Sequence, residues 1–224
     1  MPSVLISGCD AGIGREFAKQ YLEAGWEVLA TYRSLDNVMT DSKKFQNFKL
    51  DVTVASEFSD LKQQLGDRPI DLLLSNAGIG LDVAKLGALD FEYVKQMYDV
   101  NTVGPLRLVD TFVDNVAASD MRRIATITSR MGCINLNLSG GHYGYRASKA
   151  GLNAMMRSLA IDLFARGITV VSIHPGWVDT AGGGAGNAAV PVAESVASMR
   201  ALISKRGNHE TGQLFAYDGM PLPW

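Results

Sequence analysis

Tyr145 and Lys149 combine residue types and a spacing that suit proton transfer. They stand four positions apart in a stretch with helical spacing, so both side chains lie on one face of a helix. An ammonium beside a phenol stabilises the phenolate, so we expect Lys149 to bring the pKa of Tyr145 down from about 10 toward neutrality. Tyr145 then serves as a general acid, and Tyr143 is a rival six positions from Lys149. Alone, such a pair is most often a surface contact on an amphipathic helix, so other motifs must decide.

A glycine-rich turn supplies a second motif. It is the run Ser7-Gly8-Cys9-Asp10-Ala11-Gly12-Ile13-Gly14, which follows a short apolar run and precedes a helical pattern. Glycine permits positive φ and close approach of a ligand, while a helix N-terminus offers free N–H groups and a positive dipole end. The turn therefore predicts a binding site for the pyrophosphate of a dinucleotide. The same glycine pattern also occurs in tight turns without a ligand.

Short apolar runs alternate with longer stretches of helical spacing, and these elements must position both motifs. The runs predict strands at residues 4–7, 27–32, 47–50, 71–75, 124–128, 168–173 and 213–217. Helices are predicted at residues 15–24, 56–65, 91–116, 145–166 and 191–206. This alternation favours an α/β fold with one doubly wound parallel sheet and helices on both faces. No linker or repeat interrupts the pattern, so we expect a single domain over residues 1–224.

Composition narrows the classes of partner. The 224 residues are 47% hydrophobic and 20% charged, which is typical of a soluble globular protein, and the formal net charge is −2. This balance gives no broad basic surface for nucleic acid or an anionic membrane, so small molecules or other subunits are the expected partners. Cys9 and Cys133 have no metal or redox spacing, and the N-terminus lacks a signal-peptide pattern. We therefore expect no metal and a cytoplasmic location.

Seven marks in order resemble the short-chain dehydrogenase/reductase family. The glycines follow the spacing Gly-x-x-x-Gly-x-Gly rather than the commoner Gly-x-Gly-x-x-Gly. The other marks are Asp51-Val52, Asn76-Ala77-Gly78, Asn101, Ser129, Tyr145-x-x-x-Lys149 and Pro175-Gly176. More narrowly, Ser139-Gly140-Gly141, residues 145–150 and 174–178, and Tyr217-Asp218-Gly219 resemble the branch of C-factor-like and sniffer-like carbonyl reductases. The resemblance implies a Rossmann fold and a nicotinamide-dependent oxidoreductase.

The resemblance implies catalytic roles for Asn101, Ser129, Tyr145 and Lys149. Ser129 would hydrogen-bond the substrate carbonyl, with Thr128 as the neighbouring alternative, and Lys149 would also bind the nicotinamide ribose. The Asn101 backbone would hold a water that links Lys149 to solvent. The alternative for Asn101 is a polar residue that only bends its helix.

The resemblance also implies a set of cofactor contacts. They are Gly8, Asp10, Gly12, Ile13, Gly14, Arg33, Asp51, Val52, Asn76, Ala77, Gly78, Tyr145, Lys149, Pro175, Gly176, Val178 and Thr180. Asp51 would accept a hydrogen bond from the adenine amine, or alternatively cap a helix. The Val178 backbone and the Thr180 hydroxyl would contact the nicotinamide carboxamide. Ala181 and Gly182 depart from the pair often found there in this branch, and the glycine run at 182–186 predicts a mobile loop.

The end of the second predicted strand bears on which nicotinamide cofactor binds. Arg33 can pair with a 2′-phosphate and Ser34 can add a hydroxyl, whereas no acid stands at the strand end, where NAD needs one. Asp10 argues the other way, because many NADP-linked members carry a basic residue in the glycine turn. Asp36 is expected in the first turn of a helix. NADP(H) is therefore favoured, and NAD(H) stays open as the alternative.

The expected reaction is hydride transfer between NADP(H) and a carbonyl or alcohol substrate, with reduction of a small hydrophobic aldehyde or ketone preferred. The expected pocket walls are largely apolar: Met131, Cys133, Ile134, Leu136, Leu138, Tyr143 and Trp177. Tyr145 follows Ser129 by 16 positions, which is long for the family and widens the loop over the substrate. His174 is expected to pack in the core.

Two other functions stay open at this point. One is a nicotinamide-binding regulatory or signalling protein of C-factor type with little turnover, because a fold does not fix a function. The other is a protein that acts only through assembly. The predicted helices at 91–116 and 145–166 resemble the family's dimerising pair, so a homodimer or homotetramer is expected.

Overall fold

The computed structural model describes residues 1–36, 38–81, 83–180 and 190–224. Its centre is a sheet of seven parallel strands: β1 (Ser3–Ile6), β2 (Glu27–Tyr32), β3 (Phe45–Lys49), β4 (Leu72–Ser75), β5 (Arg123–Ile127), β6 (Thr169–His174) and β7 (Gln213–Ala216). Their order across the sheet is β3-β2-β1-β4-β5-β6-β7, and each neighbouring pair is parallel. The predicted doubly wound parallel sheet is confirmed.

Helices cover both faces of this sheet. They are α1 (Gly12–Glu23), α2 (Ala55–Leu65), α3 (Phe91–Tyr98), α4 (Gly104–Ala117), α5 (Tyr143–Asp162) and α6 (Val192–Lys205). Helices α1 and α6 pack on one face, and α2, α4 and α5 pack on the other. Among the helices of the described ranges, none is long and apolar enough to cross a membrane.

The central strands are apolar on both faces because both faces are covered. In β1, Val4 and Ile6 belong to the core beneath α1 and α6, while Leu5 belongs to the core beneath α2, α4 and α5. All three side chains are fully buried. A strand that is buried on both faces gains from an uninterrupted hydrophobic run, which is the pattern that the sequence shows.

The strand order creates a crevice at the carboxyl end of the sheet. The chain moves from β1 outward through β2 to β3, then returns to form β4 on the other side of β1. The connections that leave β1 and β4 therefore diverge, and open α/β sheets bind ligands at such a switch point. Both the glycine turn and residues 76–78 leave their strands there.

The predicted helix at residues 91–116 is interrupted, so that expectation was wrong. Between α3 and α4 the chain forms a π-helical turn, Asp99–Val103. Pro105 explains the interruption, because it has no N–H to bond the carbonyl four residues earlier, which belongs to Asn101. The other predicted helices and strands are present, with ends that differ by up to four residues.

Truncation of Leu73 to alanine is expected to lower the free energy of unfolding by about 3 kcal/mol, because Leu73 is fully buried in β4 and its loss leaves a cavity. Leu86→Ala is the matched control, since that side chain is 77% exposed and its loss should cost less than about 0.5 kcal/mol. Urea denaturation followed by circular dichroism measures both. Equal losses would contradict the placement of Leu73 in the core.

Candidate active site

A cleft of about 440 Å³ opens at the carboxyl end of the sheet. Most of the predicted site residues line it: Gly8, Asp10, Gly12, Ile13, Arg33, Asp51, Val52, Asn76, Ala77, Gly78, Tyr145, Lys149, Pro175 and Thr180. Gly14, Asn101, Ser129, Gly176 and Val178 are not part of this wall. The structure therefore gathers residues from positions 8 to 180 around one cleft, and their roles toward a cofactor stay predictions.

The glycine turn forms a cradle that side chains would fill. Gly8 has φ +76°, and an added Cβ would lie 2.7 Å from the Cα of Ala77. An added Cβ on Gly14 would lie 2.0 Å from the Gly8 oxygen, so Gly14 packs the turn rather than facing the cleft. No side chain of the described residues caps the start of α1. The first-turn N–H groups and the positive helix end therefore suit a pyrophosphate.

Ser7 and Asn76 brace this turn, and the sequence analysis gave Ser7 no role. The Ser7 hydroxyl accepts hydrogen bonds from the backbone N–H groups of Asn76 and Ala77, at 3.0 and 3.1 Å. The Asn76 side-chain amide donates to the Gly8 carbonyl at 2.9 Å. The carboxyl ends of β1 and β4 are thus held together. The sequence signal that could have indicated this role is the presence of a polar residue, Ser7, at the end of a buried strand.

Arg33 lies exposed at the outer end of the cleft, beside Asp10. Its backbone N–H donates to the Asp10 carboxylate at 3.1 Å. The Ser34 hydroxyl donates to Asp36 at 2.6 Å, and Asp36 lies in a turn rather than in a helix, so that expectation was wrong. Asp36 forms this turn because its N–H also donates back to the Ser34 oxygen.

Asp51 does not cap α2, which corrects one of the two roles considered for it. Its Oδ1 accepts hydrogen bonds from the Thr53 N–H at 2.9 Å and the Thr53 hydroxyl at 2.7 Å, and the N-cap of α2 is Val54. Burial raises the pKa of Asp51, but the bonds from Thr53 and the charge of Arg33 outweigh it and lower the pKa. Asp51 is therefore an ionised acceptor in the cleft wall.

Arg107 is a positioning residue that the sequence did not reveal. From α4, its Nη1 reaches the carbonyl oxygens of Val52 and Thr53 at 3.1 and 3.2 Å, and the Asp99 carboxylate at 3.0 Å. It thereby fixes the loop after β3 to the π-helical turn. An arginine on a helix carries no local signal for such a contact, because its partners lie far away in sequence.

Ser129 and Tyr145 are joined by a hydrogen bond between their side chains. The Ser129 oxygen also accepts from the Met131 N–H at 3.1 Å, which orients the hydroxyl. Thr128 instead donates to Asn153 at 2.7 Å, so its hydroxyl proton is already engaged. Of the two neighbours, the structure therefore places Ser129 at the phenol.

Burial raises the pKa of Tyr145, and the bond from Ser129 opposes that rise. We expected Lys149 to lower this pKa, and the structure contradicts that expectation. The Lys149 ammonium lies 5.9 Å from the centre of the Tyr145 ring and donates to the Ile127 carbonyl at 3.2 Å. Its charge is directed at the backbone, so Tyr145 stays protonated at neutral pH and is available as a proton donor.

Lys149 is an unusual lysine because its side chain is almost completely buried. Burial alone lowers its pKa from 10.5 to about 8. No carboxylate of the described residues lies within ion-pair distance of it. A buried amine that titrates near neutral pH is typical of functional sites.

Asn101 is fully buried in the π-helical turn and makes specific contacts with its side chain. Its Oδ1 accepts from the Ile79 N–H at 2.8 Å, and its Nδ2 donates to the Ser148 hydroxyl at 3.1 Å. The side chain thus links the loop after β4 to α5. Because Pro105 offers no N–H, the Asn101 carbonyl has no α-helical donor. This is consistent with the predicted water contact, which stays a prediction.

Of the predicted residues after β6, Thr180 lies against the glycine turn, whereas Val178 and Gly176 pack elsewhere. Thr180 lies against Gly12, since an added Cβ there would be 3.2 Å from the Thr180 methyl group. Val178 is buried and forms a bridge with Val190, and Gly176 packs on the Tyr217 ring. Ala181, Gly182 and the glycine run at 182–186 lie outside the described residues.

None of the seven predicted wall residues lines the described cleft. Ile134, Leu138 and Trp177 are exposed, whereas Cys133 is completely buried and cannot form a wall, which corrects that expectation. His174 is mostly buried, as expected, and burial lowers its pKa to about 4. Within the described ranges, no group of three metal-ligating side chains occurs.

A family profile for short chain dehydrogenase matches residues 2–190. The chain belongs to the short-chain dehydrogenase family. It is 38% identical over 156 residues to the C-signal protein of Myxococcus xanthus, and the aligned region covers 70% of this chain and 93% of that protein. The solved structure of the carbonyl reductase Sniffer of D. melanogaster has a TM-score of 0.91 and 30% identity, with 100% of both chains covered.

A third relative has a nicotinamide cofactor bound. The NADPH-bound carbonyl reductase from chicken fatty liver has a TM-score of 0.91 and 26% identity, with 100% of this chain and 94% of that chain covered. These findings confirm the prediction that the chain belongs to the branch of C-factor-like and sniffer-like short-chain dehydrogenases. In this dehydrogenase, the cleft with Tyr145 and Lys149 at its inner end is the candidate active site.

The stability of this dehydrogenase should rise with pH through the titration of Lys149. In the folded protein the Lys149 ammonium loses its proton near pH 8, whereas in the unfolded chain it keeps that proton up to about pH 10.5. Between these two pH values the unfolded state binds more protons than the folded state, so the unfolding free energy rises with pH. Relative to Lys149→Met, the unfolding free energy of the wild type should rise by roughly 2 kcal/mol from pH 7.5 to 9.5. Urea titrations at both pH values measure this, and parallel pH profiles would show that Lys149 is not desolvated.

Proposed function

We propose that this short-chain dehydrogenase is an NADP(H)-dependent carbonyl reductase that acts on small hydrophobic aldehydes or ketones. The observation that carries the proposal is the hydrogen bond between the buried Ser129 and Tyr145, whose side chain lines the inner end of the cleft with the buried Lys149. A protonated phenol, a hydroxyl and an amine with a lowered pKa form a set suited to protonating a carbonyl oxygen.

Ser129, Tyr145 and Lys149 have different roles in the proposed proton transfer. The Ser129 hydroxyl donates to the substrate carbonyl oxygen and polarises the carbonyl bond. The phenol of Tyr145 transfers its proton to that oxygen, and its raised pKa keeps the proton available until charge develops there. When bound in the cleft, a reduced nicotinamide would supply the hydride for the carbonyl carbon. Lys149, with its pKa of about 8, can hold or release a proton beside the phenol near neutral pH.

The residues that line the cleft have the chemistry to hold a nicotinamide dinucleotide. The glycine cradle and the uncapped start of α1 would hold the pyrophosphate, and Asp51 and Val52 would flank the adenine. Lys149 would bind ribose hydroxyls at the inner end. The chicken relative, which is NADPH-bound, supports this use of the cleft.

Arg33 supports NADP(H) over NAD(H). It is exposed at the outer end of the cleft, where its guanidinium is free of any carboxylate partner within 4.0 Å among the described residues. The opposing acid, Asp10, has its Oδ1 engaged by the Arg33 N–H. A planar guanidinium matches the geometry of a 2′-phosphate.

The exposed apolar side chains beside the site support a hydrophobic substrate. Ile134 and Leu138 stand on the loop between Ser129 and Tyr145 and are 77% and 95% exposed. Large apolar groups that point into solvent favour contact with an apolar ligand. The proposed direction is reduction, because the phenol is protonated at neutral pH.

The C-signal relative supports a second candidate, a nicotinamide-binding signalling protein with little turnover. The two candidates differ in whether the phenol reacts. Tight cofactor binding without turnover of any carbonyl compound would favour the signalling protein.

A single domain, a homodimer or homotetramer and a cytoplasmic location stay predictions.

Tyr145→Phe should lower kcat for NADPH-dependent reduction across a panel of aldehydes and ketones by at least about 100-fold, because the proton donor is lost. Cofactor binding, followed by NADPH fluorescence, should persist. Tyr143→Phe is the matched control, since Tyr143 is two residues away, is 44% exposed and does not line the cleft. Undiminished turnover in Tyr145→Phe would refute the proposal.

Arg33→Gln should raise KM for NADPH by about 10- to 100-fold and leave KM for NADH nearly unchanged, because it removes a charged partner of the 2′-phosphate alone. Arg166→Gln serves as the control, since Arg166 pairs with Asp114 on the surface away from the cleft. Steady-state kinetics with both cofactors give the comparison. An equal effect on NADPH and NADH would argue against recognition of the 2′-phosphate by Arg33.

A further inference from the structure

A second cavity, of about 340 Å³, lies at the end of the sheet opposite the active site. It is bounded by the first residues of β4 and β5, Leu72 and Arg123, by Tyr21 near the end of α1, and by residues 197–204 of α6. None of the predicted site residues lines it. The proposed reaction therefore gives this cavity no role, although its volume falls within the roughly 300–1,000 Å³ of small-molecule sites.

Two arginine side chains line this cavity, and neither has an acidic partner among the residues that the structure describes. Arg123 donates through Nη1 to the carbonyl oxygens of Ile203 and Ser204, at 2.8 and 2.9 Å, which satisfies that nitrogen but supplies no full negative charge. Arg200 donates to the Gln20 side chain at 3.3 Å and forms a side-chain hydrogen bond with Tyr21, whereas its buried Nε has no hydrogen-bond partner among the described residues. In the described ranges, neither guanidinium has a carboxylate within 4.0 Å.

Tyr21 does not supply the missing negative charge. Burial raises the pKa of Tyr21 to about 12, and the positive charge of Arg200, the hydrogen bond from its side chain and the charge of Arg123 only partly oppose that rise. The phenol is therefore neutral at physiological pH. The Arg200 guanidinium lies 4.5 Å from the centre of the Tyr21 ring, and this contact holds the guanidinium in place. The cavity thus combines a positive potential with a fixed donor group.

The remaining walls favour an apolar, flat ligand. The Trp26 ring lies 4.7 Å from the Tyr21 ring at an angle of 54°, and its side chain is only partly buried. On α6, Ala197 and Ala201 stand four residues apart on the face toward the cavity, and their small side chains leave it open. An aromatic ring can therefore lie against Trp26 and the alanines.

We propose that this cavity binds a small aromatic carboxylate. The carboxylate pairs with Arg200, whose fork of N–H groups matches two carboxylate oxygens, and the ring occupies the apolar part beside Trp26. The occupant bridges α1 and α6, the two helices on that face of the sheet. The proposal does not rest on the carbonyl reductase activity, because it uses none of the residues of the active-site cleft.

The test is calorimetric titration of the full chain with 2-naphthoate and with 2-naphthamide, its uncharged analogue. The acid should bind at least about tenfold more tightly than the amide, because only the acid neutralises the arginines. Arg200→Gln should weaken binding of the acid by at least about tenfold. Ala201→Phe, at an exposed position, should block binding by filling the cavity. Arg166→Gln should bind the acid as the wild type does.

Each variant is first compared with the wild type for its thermal unfolding and its affinity for NADPH, which report folding and the separate cleft. Equal affinity for acid and amide would overturn the proposal, as would no binding of the acid at about 5 mM. Undiminished binding in both Arg200→Gln and Ala201→Phe would also overturn it, because the ligand would then occupy another place. Turnover enters none of these readouts, so failure of the carbonyl reductase proposal is separately visible.

Discussion

The seating of α5 on the carboxyl end of β5 is the constraint on which the candidate active site depends. Lys149 donates to the Ile127 carbonyl, and one helical turn later Asn153 accepts from Thr128. Gly132 lies so close to α5 that an added Cβ would be 2.7 Å from the Lys149 carbonyl carbon. These contacts set the distance between β5 and the helix, and that distance places the Tyr145 phenol at Ser129.

The opposite side of α5 is held as firmly. Thr102 in the π-helical turn donates to the Ser148 carbonyl at 2.8 Å, and Asn101 donates to the Ser148 hydroxyl. The helix is therefore fixed between the end of the sheet and the turn that Pro105 imposes. This arrangement buries an amine for which the described part of the chain supplies no carboxylate partner, which costs stability, and such costs are characteristic of functional sites.

Burial divides the cleft into two parts with different physical demands. At the inner end, Lys149 is buried and Ser129 lies buried behind the Tyr145 phenol, and the low dielectric there changes pKa values and strengthens hydrogen bonds. At the outer end, Arg33 is exposed, which suits recognition of a charged group that keeps part of its hydration. Ser7 and Asn76 connect the two ends, because they fix the glycine turn against the strand that leads to Gly78.

The sequence by itself determined the order of strands and helices, the doubly wound sheet and the motifs that surround the cleft. These follow from local signals: uninterrupted apolar runs, helical spacing, and short motifs such as Gly8 to Gly14. Only the tertiary structure decided the raised pKa of Tyr145, the bracing by Ser7 and Arg107, and the cavity beside Arg200. Each of these features depends on how deeply a side chain is buried or on contacts between residues far apart in the chain. The local pattern of residues predicts neither burial depth nor such contacts.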